Sequence, residues 1–309
     1  MRSALDRQTE IYMEKCQEVP TLRVNLDMHP ISKAMRDGRV TSNLVRLDYC
    51  GPSPAHNGFK SMLRQIGFNA GELAIVTFLQ AKAYGKPFVL LPAPILGRLQ
   101  HHCAVYNSAF GDIGPKDIEG KRVGVRSYAQ TTGLWVRGIL RHEYGVDLDK
   151  VHWKTLEDGH LAEYADPAGC ERLPHGSSIA QRMLDGDLAA ALLGAPDMPK
   201  DPAVRTLIPD AHAAAKDWFA REGVVPINHM FAVHEELSKR RPDIVRDIYR
   251  MIVESRDLAE GLPPIFPAIG LEANRKNLQL AIDWAFEQKI IPRRLTVDEL
   301  FDDVTGSLG

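Results

Sequence analysis

Arg126, Ser127, Gln130, Thr131 and Thr132 lie together in the segment R-S-Y-A-Q-T-T. A guanidinium, an amide and a cluster of hydroxyls at this spacing can hold an anion. The effect is stronger if a helix begins at Thr131, because the first turn of a helix leaves its backbone N–H groups unpaired and aimed outward. The donors suit a carboxylate better than a phosphate, since the loop lacks the clustered glycines of a phosphate cradle. An ordinary strand–loop–helix unit with threonine capping would read the same way. Arg126 by itself could equally be a solvated charge or half of an ion pair.

Groups able to move protons lie elsewhere in the chain. His229, next to Asn228, sits in the apolar run V-V-P-I-N-H-M-F-A-V, and His101 sits in Q-H-H. An imidazole titrates near neutral pH with little tuning, although a histidine in an apolar strand also serves as a plain hydrogen-bonded core residue. On a strand His101 and His102 would face opposite ways, and His101 is taken as the one turned inward. Glu157, Asp158 and His160 follow a predicted strand, where open α/β sheets present ligand groups. Glu72 and Thr77 flank the apolar stretch Leu73–Val76, and Arg98 precedes His101. The expected catalytic set is therefore His229, His101 and Glu157. The expected binding set is Arg126, Ser127, Gln130, Thr131, Thr132, Asn228, His160, Thr77 and Arg98.

No H-x-x-x-H or H-E-x-x-H pair is present, so spacing supports no metal site and no cofactor is called for; a divalent cation would need His101, His160, His229 and Glu157 to converge. The absence of a Walker loop, a G-x-G-x-x-G and a G-x-S-x-G elbow removes nucleotide, hydride and serine-hydrolase chemistry.

These residues need a scaffold. Strand-like runs at Thr21–Leu26, Leu44–Cys50, Leu73–Thr77 and Phe88–Leu91 alternate with helical segments. A second series holds strands at Arg122–Val125, Val151–Leu156 and Ala189–Leu193, with an amphipathic helix at Ser178–Leu184. The apolar strand from Val224 is followed only by helices. Such alternation predicts an α/β protein whose largely parallel sheets are covered by helices. The pattern divides into a first lobe of residues 20–105 and 228–309, an inserted second lobe of residues 106–227, and a polar extension at 1–19. Two crossings between lobes make a clamp with its ligand between them.

The chain has 309 residues and 38 basic against 40 acidic side chains, a near-neutral balance that argues against nucleic acid as a partner. Its four cysteines show no C-x-x-C spacing, so reduced thiols are expected. No apolar run is long enough for a membrane span, and the N-terminal segment has no apolar core of a signal peptide. A cytoplasmic location is the expectation. A homo-oligomer is left open.

Several motifs bring a known family into view. K-R-V-G-V-R-S-Y-A-Q-T-T-G-L-W-V-R-G-I-L followed by R-H-E-Y-G-V-D resembles the 4,5-dihydroxyphthalate decarboxylase family. So do T-L-E-D-G-H-L-A-E-Y at Thr155–Tyr164, P-I-N-H at Pro226–His229 and G-L-E-A-N-R-K-N-L at Gly270–Leu278. The resemblance runs from about Thr21 to Phe301. It implies the type II periplasmic-binding-protein fold and removal of one carboxylate from an ortho-dicarboxylate catechol, giving protocatechuate and CO2. It also implies a pattern nearer E-Y-Q-M-T-A where this chain has R-S-Y-A-Q-T-T, and an Arg-His pair where it has Gln100-His101-His102. Because the same fold serves transporter receptors, the alternative is an aromatic-carboxylate-binding protein or intracellular sensor without catalysis.

Overall fold

The computed structural model describes residues 19–309. Residues 1–18, with Cys16 and nearly all of the expected polar extension, lie outside the described residues. The first part of the chain runs β1 (Thr21–Asn25), α1 (Pro30–Arg36), β2 (Arg46–Asp48), α2 (Phe59–Gln65), β3 (Ala70–Ala74), α3 (Ile75–Ala83) and β4 (Phe88–Gly97). The second runs β5 (Ala104–Asn107), β6 (Arg122–Val125), α4 (Thr131–Tyr144), β7 (His152–Thr155) and β8 (Cys170–Arg172). It continues through α5 (Ile179–Leu184), β9 (Ala190–Leu192), β10 (Val204–Thr206) and α6 (Ala211–Glu222). The chain then returns along β11 (Ile227–His234) and closes with α7 (Glu235–Arg240), α8 (Pro242–Asp257) and α9 (Leu271–Glu287).

Two sheets result, in the orders β2-β1-β3-β11-β4 and β10-β5-β9-β6-β7-β8. Five strand pairs, β1–β2, β1–β3, β6–β7, β6–β9 and β7–β8, run parallel. The antiparallel ladders all involve β5 or β11, which carry the chain into and out of the second sheet. The ladder between β11 and β4 shifts register around His229. Pro92 and Pro94 lie on β4 and have no N–H to donate there, which is where a ladder bulges.

One buried apolar cluster joins the two halves: Phe59 and Phe78 from the first, Trp135 and Ile139 from α4, and Trp284 from α9. The packing is tight at Gly138, where a Cβ would stand 1.9 Å from the Trp284 ring. Only glycine lets α9 lie against α4. Next to it Arg137 is wholly buried, donating from Nε to Gln288 Oε1 at 2.8 Å and from Nη2 to the Tyr128 carbonyl at 2.6 Å. Its guanidinium lies 4.0 Å from the Tyr128 ring centroid. α4 ends at Gly145 (φ 64°), whose left-handed turn lets the Gly145 and Val146 N–H groups close on Arg141 and Leu140 carbonyls.

Two expected elements come out differently. The strand expected at Leu73–Thr77 stops at Ala74, and the chain passes directly into α3, so Thr77 lies in a helix. Ile75, Val76, Phe78 and Leu79 are all buried, and a short, uniformly apolar run carries no periodicity to separate strand from helix. His101 lies in a 3₁₀ turn (His101–Cys103) rather than a strand. Among the described residues, no helix is long and apolar enough to cross a membrane.

Candidate functional site

A cleft of about 200 Å³ opens between the two sheets. Its walls include Thr77, Arg98, Arg126, Ser127, Gln130, Thr131, Thr132, Glu157, His160, Asn228 and His229, which brings together every expected site residue except His101. Two roomier hollows, of about 330 and 400 Å³, are lined without a histidine. Most of the polar groups in the cleft follow strand ends: Arg126 after β6, Glu157 and His160 after β7, Asp197 after β9 and His56 after β2. That is where parallel sheets present ligand groups.

The candidate anion seat lies at the start of α4. Gln130 is its N-cap but makes no side-chain capping bond, so the first-turn N–H groups stay available. Thr131 Oγ1 instead accepts the N–H of Val76 at 3.4 Å, which draws the N-termini of α3 and α4 to one place. Arg126 donates from Nη1 to His56 Nε2 at 3.1 Å, and its Nε lies 3.2 Å from Glu157 Oε1 without hydrogen-bond alignment. Four buried polar atoms on these walls have no hydrogen-bond partner within the protein: Arg98 Nε, Arg126 Nε, Ser127 Oγ and Gln130 Oε1. Buried polar atoms are costly to leave unpaired, so a wall that collects them suits a polar ligand.

Two histidines converge on Glu72. His229 lies opposite Ala74 in the antiparallel β3–β11 ladder, so Glu72, two residues along, shares its face as a diagonal neighbour. Glu72 Oε2 accepts from His229 Nδ1 at 2.5 Å, and both carboxylate oxygens lie 3.0 Å from His29 Nε2. The Asp27 N–H adds a further bond of 2.7 Å. Burial alone would raise the pKa of the wholly buried Glu72 carboxyl, but the hydrogen bonds from His229 and His29 outweigh it and hold the pKa well below the carboxylate range. With Nδ1 committed to Glu72, His229 keeps Nε2 for the cleft, the arrangement that fixes an imidazole as an acid–base group.

His160, packed edge-on to Phe59, bonds through Nδ1 to Thr77 Oγ1 at 2.7 Å. Burial, then the charge of Arg126, push its pKa down to about 3, so its ring is neutral at physiological pH. His56 is held below its ordinary value by burial and then by the charge of Arg126. Glu157 lies toward the rim as the partner of Arg126. Asn228 Oδ1 accepts from Gln100 Nε2 at 2.8 Å, tying the two crossings together. The sequence reading missed His29, His56 and Phe59 and ranked Glu72 below the chosen set. His29 and His56 follow the ends of β1 and β2, so the strand-end signal that selected Glu157 was present for them too.

His101 stands outside the cleft. A 3₁₀ turn has no two-residue alternation, so the argument that turned His101 inward does not apply there. Its ring is buried against Trp218, while His102 stacks on His212. Burial pushes the His101 pKa down to about 4 from the ordinary 6.5. The unfolded chain then binds the extra proton between those values. Its contribution to stability is therefore complete above pH 6.5 and is lost as the pH falls toward 4. In urea unfolding across this window, His101→Phe should lose up to about 1.4 kcal/mol per pH unit of slope. An unchanged slope would mean that His101 is not buried neutral.

Among the described residues, His29, Glu72 and His229 form one group whose donor atoms fall within 4.8 Å, close enough to consider a divalent ion. The contacts of 2.5 and 3.0 Å use those donors on one another. They are tighter than the roughly 3.3 Å between donors that a tetrahedral ion with bonds of about 2.0–2.1 Å requires. The geometry is that of shared protons.

No family model matches the chain. Over 221 residues it is 27% identical to a 4,5-dihydroxyphthalate decarboxylase of Comamonas testosteroni, covering 65% of this chain and 64% of that protein. Over 197 residues it is 27% identical to a protein of the same name from Pseudomonas putida, covering 59% and 75% of the two chains. The chain resembles the 4,5-dihydroxyphthalate decarboxylases. The match spans less than two thirds of the Comamonas protein's length. In structure it is similar to the alkanesulfonate-binding protein SsuA of Xanthomonas axonopodis pv. citri, bound to MOPS (TM-score 0.57, 13% identity, 91% of this chain and 98% of that one). It is also similar to a mutant of DSZB in complex with biphenyl-2-sulfinic acid (TM-score 0.55, 12% identity, 93% and 98% covered). At these identities the likeness establishes the fold, a two-lobed clamp of the periplasmic-binding-protein kind, and not the activity.

Proposed function

We propose that the chain decarboxylates a hydroxylated aromatic carboxylate without a cofactor, with a catechol dicarboxylate such as 4,5-dihydroxyphthalate as its substrate class. One observation carries the reading: a single cleft joins an anion seat at Arg126 and the start of α4 to a histidine held by a buried carboxylate. A spectator carboxylate sits on Arg126 and the helix start. His229 Nε2 takes the proton of a ring hydroxyl, and one proton is returned to the ring carbon that bears the leaving carboxylate. The carbon–carboxylate bond then breaks, its electron pair stays with the ring, and CO2 departs. Phe59, Ala74 and Leu96 line the cleft and strip water from the leaving group, which favours loss of its charge. For the dihydroxyphthalate the product is protocatechuate. The names of the sequence relatives support this chemistry.

The binding-protein likeness supports a second reading, a receptor for aromatic carboxylates. Two features favour the enzyme. A receptor has no need of the Glu72–His229 pair. The continuous core between the lobes also leaves little freedom for the opening that a clamp receptor uses.

Arg126→Ala tests the anion seat under both readings. Loss of a charge-assisted hydrogen bond costs about 1.5–3 kcal/mol, so calorimetry with dihydroxyphthalate should show binding weakened by roughly 10- to 100-fold. Because Arg126 is partly exposed, the unliganded protein should keep its stability to within about 0.5 kcal/mol. Unchanged affinity would remove Arg126 from the site.

A further inference from the structure

Glu72 presents an accounting problem that the cleft alone does not solve. Its side chain has no solvent exposure, it lies at the centre of the sheet, and it accepts from two imidazoles and one backbone N–H. An ionised carboxylate in such a place needs a cation, and two neutral rings would leave it uncompensated. One of the two histidines must carry the positive charge. If it were His229, the cleft would hold an imidazolium already loaded with a proton, and His229 could not begin by accepting one.

The surroundings separate the two rings. His29 Nε2 lies 3.0 Å from both oxygens of Glu72, centred on the carboxylate as a cation would be, and it follows Asp27. His29 is fixed as the N-cap of α1, where its backbone N–H donates to Ser32 Oγ at 2.8 Å. His229 touches Glu72 through one oxygen only, though by the shorter contact of 2.5 Å, and Arg126 after β6, His56 before α2 and His160 after β7 share the cleft with it and discourage charge. Glu157 and Asp197 in the same cleft act the other way, but Glu157 is paired with Arg126 and Asp197 is exposed to solvent. Arg36, on α1, acts against His29, but from a guanidinium bonded to the Leu26 carbonyl. Burial lowers the His29 pKa, but the Glu72 hydrogen bond and the charges of Glu72 and Asp27 outweigh it and leave the value raised.

We propose that His29 is the resident cation of Glu72 and thereby a positioning residue, leaving His229 uncharged and able to take a proton from the cleft. This rests on the decarboxylase reading for its purpose but not for its test. His29 does not touch the ligand. It sets the state in which His229 meets it. Removing its charge while keeping a donor, as in His29→Gln, hands the whole carboxylate to His229 and makes that ring harder to deprotonate. Restoring a cation, as in His29→Lys, should reverse the change.

The experiment is a titration of the histidine rings by NMR in the full chain, with His229 assigned by its loss in His229→Gln. In the unmodified protein His29 should hold its proton to higher pH than His229. In His29→Gln the midpoint of His229 should rise by about one unit, a tenfold gain in proton affinity, and in His29→Lys it should return to within a few tenths of the original. A His229 midpoint above that of His29 in the unmodified protein would overturn the proposal without any variant having to fold. So would a His229 midpoint that ignores His29→Gln, or stoichiometric Zn2+ binding that depends on His29 and Glu72. If the titration follows the proposal while no aromatic acid is turned over, the decarboxylase reading fails and the charge assignment stands.

Discussion

His229→Gln is expected to bind a true substrate within about tenfold of the unmodified protein, a difference of about 1.4 kcal/mol, while its turnover falls by roughly 100-fold or more. The separation follows from what glutamine keeps and what it loses. A carboxamide can still bond to Glu72 and offer a polar group to the cleft, so ligand affinity survives. It cannot take up and release a proton near neutral pH, and that exchange is what the chemical step asks of the ring. Calorimetry and product formation on the same preparation measure both quantities. Full turnover in the variant would remove His229 from the chemistry, and loss of binding with no change in turnover of bound substrate would make it a ligand contact only.

Trp284→Ala is expected to destabilise the protein by about 3–5 kcal/mol. Trp284 is buried on α9, within 5.5 Å of the Trp135 ring and 6.5 Å of Trp218 (centroid to centroid), and stacked on His142. It is therefore the side chain through which the last helix holds the inserted half against the first. Truncation removes the indole contacts and leaves a cavity above Gly138, where neither backbone can close in without moving a helix. At about 2–4 °C per kcal/mol for a chain approaching this size, the melting temperature should drop by roughly 6 °C or more. Thermal unfolding by calorimetry measures it. A drop under about 2 °C would show that the two halves are held elsewhere.

The parts of the candidate site legible in the sequence are contiguous ones. Arg126 through Thr132 could be read as an anion seat because strand, loop and helix start follow one another within a few residues, and the strand before them is plainly apolar. The coupling of His229 to Glu72 had no such signature. The two are 157 positions apart, and only the antiparallel return of β11 beside β3 sets them on one face. His29 reaches the same carboxylate from 43 positions away through a loop whose course no periodicity encodes. His101 was misplaced for a local reason: Q-H-H-C can continue a strand or tighten into a turn, and burial against Trp218, a tertiary contact, decides between them. Thr77 reached the cleft from an element of the wrong type, since the first turn of α3 begins where the strand was expected to continue.

The central claim is that this cleft breaks a bond between a ring and a carboxylate and replaces that carboxylate with a proton. The most direct test is to incubate the unmodified protein with carboxyl-13C-labelled 4,5-dihydroxyphthalate in D2O and to follow gas and ring product together by mass spectrometry and NMR. One equivalent of 13CO2 for each protocatechuate formed, with one deuterium at the vacated ring carbon, is the predicted result. Saturable binding of the intact dicarboxylate with no labelled gas and no ring deuterium, under conditions where the protein stays folded, would contradict the claim and leave a receptor.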